Sequence, residues 1–245
     1  MKGISAEPSA WREQVKDVAA RLSQPAESLR TLLHDLVGRA VHAVGSNAGS
    51  ILIPDAAGMQ LRFFVSHGPK SDELAKLQVP IDSSIAGHVF STGQMMAMSD
   101  LQEERAFNFY DVIDKTLGLA TRTYLALPVL SQGRALGVAT YVNRPGEPPF
   151  RPFDPDEMAA AQRFAAVEAV VLQTWQRTRQ LAELAARDFA TLLDENAPNS
   201  AAEAMNILDL WASVLQSIHP LSEHDQTLCA ELIAVVARHA QGIAG

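Results

Sequence analysis

Apolar residues recur at helical spacing from the start of the chain. Trp11, Val15, Val18 and Leu22 lie on one face, and then Ser23-Gln24-Pro25 interrupts, which predicts a break. Leu29, Leu32, Leu33, Leu36, Val37, Ala40, Val41 and Val44 form an unbroken second stripe, closed by Gly45 as C-cap. From Ser50 the period shortens to two. The runs SILIPD and MQLRFFVSHG flank an Ala56-Ala57-Gly58 turn, and TYLALPVL and RALGVATYVN flank Ser131-Gln132-Gly133. Leu125, Leu127 and Val129 alternate, as do Leu136, Val138 and Thr140, so each strand is expected to bury one face. Residues 82–123 between the two pairs are long, polar in places and only partly helical. Connections of that kind tend to carry function.

A proline-dense loop, RPGEPPFRPF, follows Asn143. Asp154 then fits an N-cap, Pro155 the first helical position and Glu157 the third residue of a capping box. The stripe of the helix that follows is read as Met158, Ala161, Phe164, Val167, Val171 and Trp175, and no breaker appears before Asn196-Ala197-Pro198. Its later half keeps only a thin apolar line at Leu181, Leu184, Phe189 and Leu192, the pattern of a protruding helix that pairs with a partner. Capping pairs at Ser200 with Glu203 and at Ser222 with Asp225 predict a terminal helical hairpin. The expected organisation is an N-terminal helical arm at 1–24, an α+β domain at 25–176, and a protruding helix with hairpin at 177–245.

Composition narrows the function classes. With 47% hydrophobic and 20% charged residues the chain can bury a core, and its net charge of −8 argues against nucleic acid or an anionic membrane as partner. No apolar run reaches the roughly 20 residues that span a bilayer, and the N-terminus lacks a secretory core, so the expected location is cytoplasmic. Cys229 is the one cysteine, which excludes an internal disulfide and a Cys-rich metal site. There is no Gly-rich phosphate loop, HExxH motif or nucleophile elbow, so no enzyme is expected. His219, Glu223, His224 and Asp225 read as a solvated turn rather than a metal site.

Residues 85–93, IAGHVFSTG, resemble the GIAGxVxxTG signature of the GAF domain, and Leu127-Pro128-Val129 with Gly137-Val138 resemble its LPI and IGV strands. The resemblance covers roughly residues 24–175. It implies a central antiparallel sheet of about five or six strands, with helices on one face and a ligand-covering loop and helix segment on the other. Within the family the chain looks most like the GAF domains of cyclic-nucleotide phosphodiesterases and adenylyl cyclases. Phe109-Tyr110 and the stretch from Asp114 to Arg122 resemble the FYxxVDxxTGFRTR segment that covers the nucleotide there, with Leu117 where threonine is usual. Asn143-Arg144, then Phe153, Asp156 and Glu157, resemble the family's Asn-Lys…Phe…Asp-Glu signature, with arginine for lysine and one residue fewer after the phenylalanine.

The resemblance implies a small-molecule ligand, with cyclic AMP or cyclic GMP as the named candidate. The helix start at Ser84, Ile85 and Ala86 would hold an anionic group, Phe109 or Tyr110 would stack on a base, and Asp114 or Thr121 would take its edge or the ribose hydroxyl. Another small ligand, or none, stays open. An empty function would show as bulky groups from Phe63, Phe64, Met95, Met96 and Phe109 filling the pocket. Bilin and sulfoxide-reductase chemistries need cysteines that residues 1–228 lack, and haem would need His67 or His88. The expected function is a sensory protein that signals through dimeric helices to a protein partner. The alternative is a scaffold for dimerisation and protein contact that binds no ligand.

Overall fold

The computed structural model describes residues 8–101 and 110–193. Residues 27–176 form one compact unit, and residues 1–26 with 177–245 are grouped as a second. The expected terminal hairpin, with Cys229 and the His219 cluster, lies outside the described residues.

Helix α1 (Pro8–Val44) runs through Pro25, so the predicted break is absent. A proline removes one rung of the i→i−4 ladder, and here strong helix formers such as Ala19, Ala20, Leu22, Ala26 and Glu27 flank it on both sides. The helix ends where glycine predicts. Gly45 adopts φ 67, its N–H donates to His42, and Ser46 donates back to the Val41 carbonyl at 3.0 Å.

Six strands follow in the spatial order β3-β2-β1-β6-β5-β4, every neighbouring pair antiparallel. They are β1 (Ala48–Pro54), β2 (Gln60–His67), β3 (Gln78–Pro80), β4 (Met96–Met98), β5 (Tyr124–Ser131) and β6 (Arg134–Val142). The two central hairpins are the ones the alternation predicts. The edge strands β3 and β4, three residues each, are too short to show a period in sequence. Pro128 sits within β5 beyond the stretch that β4 pairs, so its missing N–H interrupts no bond on that side.

One sheet face carries α1 and α5 (Pro155–Leu193). Leu33, Val37, Ala40, Val41 and Val44 of α1 are buried against it, and Gly49 lets α1 approach so closely that a Cβ there would strike Val41 and Tyr141. The other face is covered by α3 (Ile85–Thr92) and α4 (Tyr110–Leu117), while α2 (Ser71–Leu74) lies beside β2. The central strands are therefore buried on both faces, not one. Tyr124 and Ala126 of β5 are as fully buried as Leu125 and Leu127.

The stripe read for α5 also needs correction. Ala161, Ala165, Glu168, Ala169, Leu172 and Trp175 are buried, whereas Val167 is 49% and Val170 66% exposed. Two apolar stripes run along this helix, and the sheet takes the one rich in alanine, which permits close approach. A ranking by apolarity alone cannot choose a face that contains a glutamate.

Candidate ligand site beneath the helical cover

Alternation along the strands defines the floor of the site. Leu52, Val138, Tyr124, Ala126, Leu61 and Phe63 face the cover and pack with Ile85, Ala86 and Val89 of α3, Ile113 of α4 and Met98 of β4. Phe63 and Met96 thus both border this apolar cluster but stand on β2 and β4, with three strands between them, whereas the Phe64 ring lies 4.2 Å from that of Trp175 and belongs to the other face. One polar row interrupts the apolar floor. Ser50 lies opposite both Ser66 and Thr140, and its hydroxyl donates to that of Ser66 at 3.0 Å, with all three residues buried. Sequence reading missed this row, because isolated hydroxyl residues in three different strands form no local pattern.

Helix α3 is fixed at its start by Ser84. The hydroxyl accepts from the Gly87 N–H at 2.9 Å and donates to the Pro80 carbonyl at 2.5 Å, so both roles of the side chain are engaged. Ile85 and Ala86 are sealed in the apolar cluster. Gly87 permits this seat, since a Cβ there would collide with the Ile81 carbonyl.

Asp114 and Thr121 are brought together at the far end of α4. The Asp114 carboxylate accepts from the Thr121 N–H at 2.6 Å and from its hydroxyl at 2.8 Å, and Thr121 is buried. The Leu119 N–H donates to the Asp114 carbonyl, closing the helix. Tyr110 opens α4, and Phe109 lies outside the described residues.

The base of the cover is pinned by Arg122. Its guanidinium forks onto Asp100 at 3.2 and 2.7 Å, and its carbonyl accepts from Leu101 at 2.7 Å. Its N–H donates to the Asn143 side chain, which also donates to Ala120. The adjacent Arg144 gives its N–H to the Thr123 hydroxyl and forks onto Glu157 at 2.6 and 2.5 Å, above the Phe153 ring.

Glu157 completes the expected capping box with Asp154, each accepting from the other's backbone N–H. The Arg144 guanidinium holds its carboxyl down to about 2, against the desolvation of partial burial. Bonds therefore run in sequence from α4 through Thr121, Arg122, Asn143 and Arg144 to the first turn of α5. Among the described residues no cluster of His, Cys, Asp and Glu could hold a metal ion, and no helix is long and apolar enough to cross a membrane.

The family profile of the GAF domain matches residues 28–172. The chain belongs to the GAF domain family. Among curated proteins, this GAF domain is similar to a probable 3',5'-cyclic phosphodiesterase, pde-5, of Caenorhabditis elegans, at 28% identity over 52% of this chain and 18% of the relative. It is also similar to a dual 3',5'-cyclic-AMP and -GMP phosphodiesterase 11A of Takifugu rubripes, at 27% identity over 54% of this chain and 15% of the relative. The match thus spans less than a fifth of each enzyme. Among solved structures, the GAF domain of a phosphoenolpyruvate-protein phosphotransferase from Coxiella burnetii aligns with TM-score 0.54 at 18% identity, over 69% of this chain and 98% of that one. A GAF domain/HD domain protein from Geobacter sulfurreducens aligns with TM-score 0.52 at 16% identity, over 63% and 97%. These two likenesses concern the fold. GAF domains are sensory and regulatory modules.

Proposed function

We propose that this GAF domain binds a small molecule between the sheet and the α3–α4 cover and passes the event to helices α1 and α5, which pair with a second copy of the chain. The observation that carries this reading is the bonded sequence from Asp114 and Thr121 to Glu157, because a change in the cover has a short physical route to the start of α5. A ligand acts through such a route only by its differential affinity for two arrangements. Cyclic AMP or cyclic GMP is the candidate, supported by the cover sequence and by the kinship to cyclic-nucleotide phosphodiesterases. In this reading the Asp114–Thr121 pair supplies hydrogen-bonding atoms by opening its own bonds, Tyr110 stacks on the base, and the N-terminal turn of α3 lies near the phosphate. No catalytic step is assigned to the domain.

Outward residues Leu32 on α1 and Val167 and Val170 on α5 support pairing of copies, since exposed branched side chains on adjacent helices gain by mutual burial. A scaffold without ligand is the second reading, favoured by the apolar packing of Ile85, Ala86, Phe63 and Met98. Calorimetric titration with cyclic AMP and cyclic GMP separates the two. Binding of either that weakens in Thr121→Ala supports the sensor, and absence of binding to well-folded dimer supports the scaffold.

A further inference from the structure

Glu168 lies on the face of α5 that rests on the sheet, in line with Ala161, Ala165, Leu172 and Trp175, and is fully buried. Among the described residues neither of its carboxylate oxygens has a well-formed hydrogen bond, and neither does the Tyr141 hydroxyl beside it. A buried charge without a partner is costly, so such a group keeps its proton while it stays buried. Its surroundings offer no countercharge. Tyr141 shares its side of the sheet with its register partners Gly49 and Leu125, and with Ile51, Leu127 and Ala139. Helix α1 adds Val37, Ala40, Val41 and Val44. His67 of β2 is engaged with His34 and His42 of α1, at ring distances of 5.7 and 6.4 Å. Arg163, the other charged residue between Met158 and Gln176, is exposed.

Burial raises the Glu168 pKa to about 8, opposed only by the Tyr141 hydroxyl. Burial and the neighbouring carboxyl push Tyr141 itself well above its ordinary range, so Glu168 is the member of the pair that titrates. The seat around it is thin. The Arg144 fork onto Glu157 holds the first turn of α5, and Leu172 with the Trp175 ring against Phe64 holds the helix further on. Between these anchors the buried residues besides Glu168 are Ala161, Ala165 and Ala169, which remove little apolar area from water.

We propose that Glu168 makes the seat of α5 a proton-held joint: with the carboxyl neutral the helix rests on the sheet, and loss of the proton lifts the stretch between the two anchors so that the carboxylate reaches water. Opening then releases one proton, and the open form gains about tenfold per pH unit between the ordinary carboxyl value of 4.5 and about 8. The joint needs no ligand beneath the cover. Val167 and Val170 lie on the same stretch, so the face assigned to pairing moves with it; that consequence rests on the pairing reading, and the joint itself does not.

The test reads exposure of single thiols in the full chain, with Cys229→Ser as background. Ala165→Cys places a thiol under α5, and Ala126→Cys places one in the sheet core on the opposite face. Labelling by 4,4'-dithiodipyridine is followed from pH 5.5 to pH 7.5, each rate divided by that of an unstructured cysteine peptide at the same pH. Global unfolding exposes both thiols, whereas the joint exposes the first alone. The thiol at 165 is expected to react at least about tenfold faster than that at 126 and to gain about tenfold per pH unit, a gain that Glu168→Gln abolishes. Glu168→Met, equally uncharged, gives the same flat profile and serves if the glutamine variant does not fold. Equal relative rates at 165 and 126 overturn the proposal, because the helix then leaves only when the whole domain unfolds. So does a pH dependence at 165 that survives in the uncharged variants.

Discussion

The Asp114 carboxylate and the Thr121 hydroxyl and N–H bond to each other across the end of α4, at 2.8 and 2.6 Å. The two positions singled out as ligand contacts thus also form the latch that closes the cover onto β5. A hydrogen bond to a charged group contributes roughly 1.5–3 kcal/mol, so Asp114→Asn is expected to lower stability by an amount of this order. Thr121→Ala should overlap with it, and a double-mutant cycle by chemical denaturation should show the two losses to be strongly non-additive.

The start of α5 depends on a different carboxylate. Glu157 accepts from Arg144, Arg151 and the Asp154 N–H, and its pKa lies at about 2 against an ordinary value of 4.5. A depressed carboxyl pKa gives stability that is complete above the unfolded value and is lost as pH falls through the folded one. Acid unfolding between about pH 4.5 and pH 2 should therefore be steeper in the parent than in Glu157→Gln. Arg144→Lys should not restore the parent profile, because an ammonium group cannot fork onto both oxygens.

Glu168 has the opposite sign. It is fully buried on α5 beside the Tyr141 hydroxyl, with no well-formed hydrogen bond to either carboxylate oxygen, and burial raises its pKa to about 8. Below its unfolded value the carboxyl is neutral in both states. Between about 4.5 and about 8 the folded state holds a proton that the unfolded chain has lost, so stability falls across this window as pH rises, by an amount on the order of a few kcal/mol. Glu168→Gln removes that dependence. Its unfolding midpoint in urea should fall less than the parent's between pH 5 and pH 8.

Val167 and Val170 carry the prediction for assembly. Glutamate at both positions introduces charge on a surface that faces away from the sheet, so the fold should survive. Sedimentation at micromolar concentration is expected to show dimer for the parent chain and monomer for Val167→Glu/Val170→Glu.

Much of the fold was legible because its signals are local. Gly45 ends α1, Ser84 begins α3 and the Asp154–Glu157 box begins α5, each through bonds within a few residues. Pro25 misled because one lost rung does not decide a helix of 37 residues. Glu168 was invisible because its burial follows from how α5 rests on the sheet, a long-range fact that its polarity contradicts. The candidate site residues rest on resemblance, whereas the mutual engagement of Asp114 and Thr121 required their distance in space.

The most direct measurement is hydrogen exchange of the parent chain and Arg144→Ala, with and without saturating cyclic AMP or cyclic GMP. One nucleotide is expected to slow exchange in the cover and to alter it in the first turn of α5 in the parent, while in Arg144→Ala the change stays within the cover. No response at α5 in the parent, or an identical response in both proteins, would contradict the coupling of cover to helix.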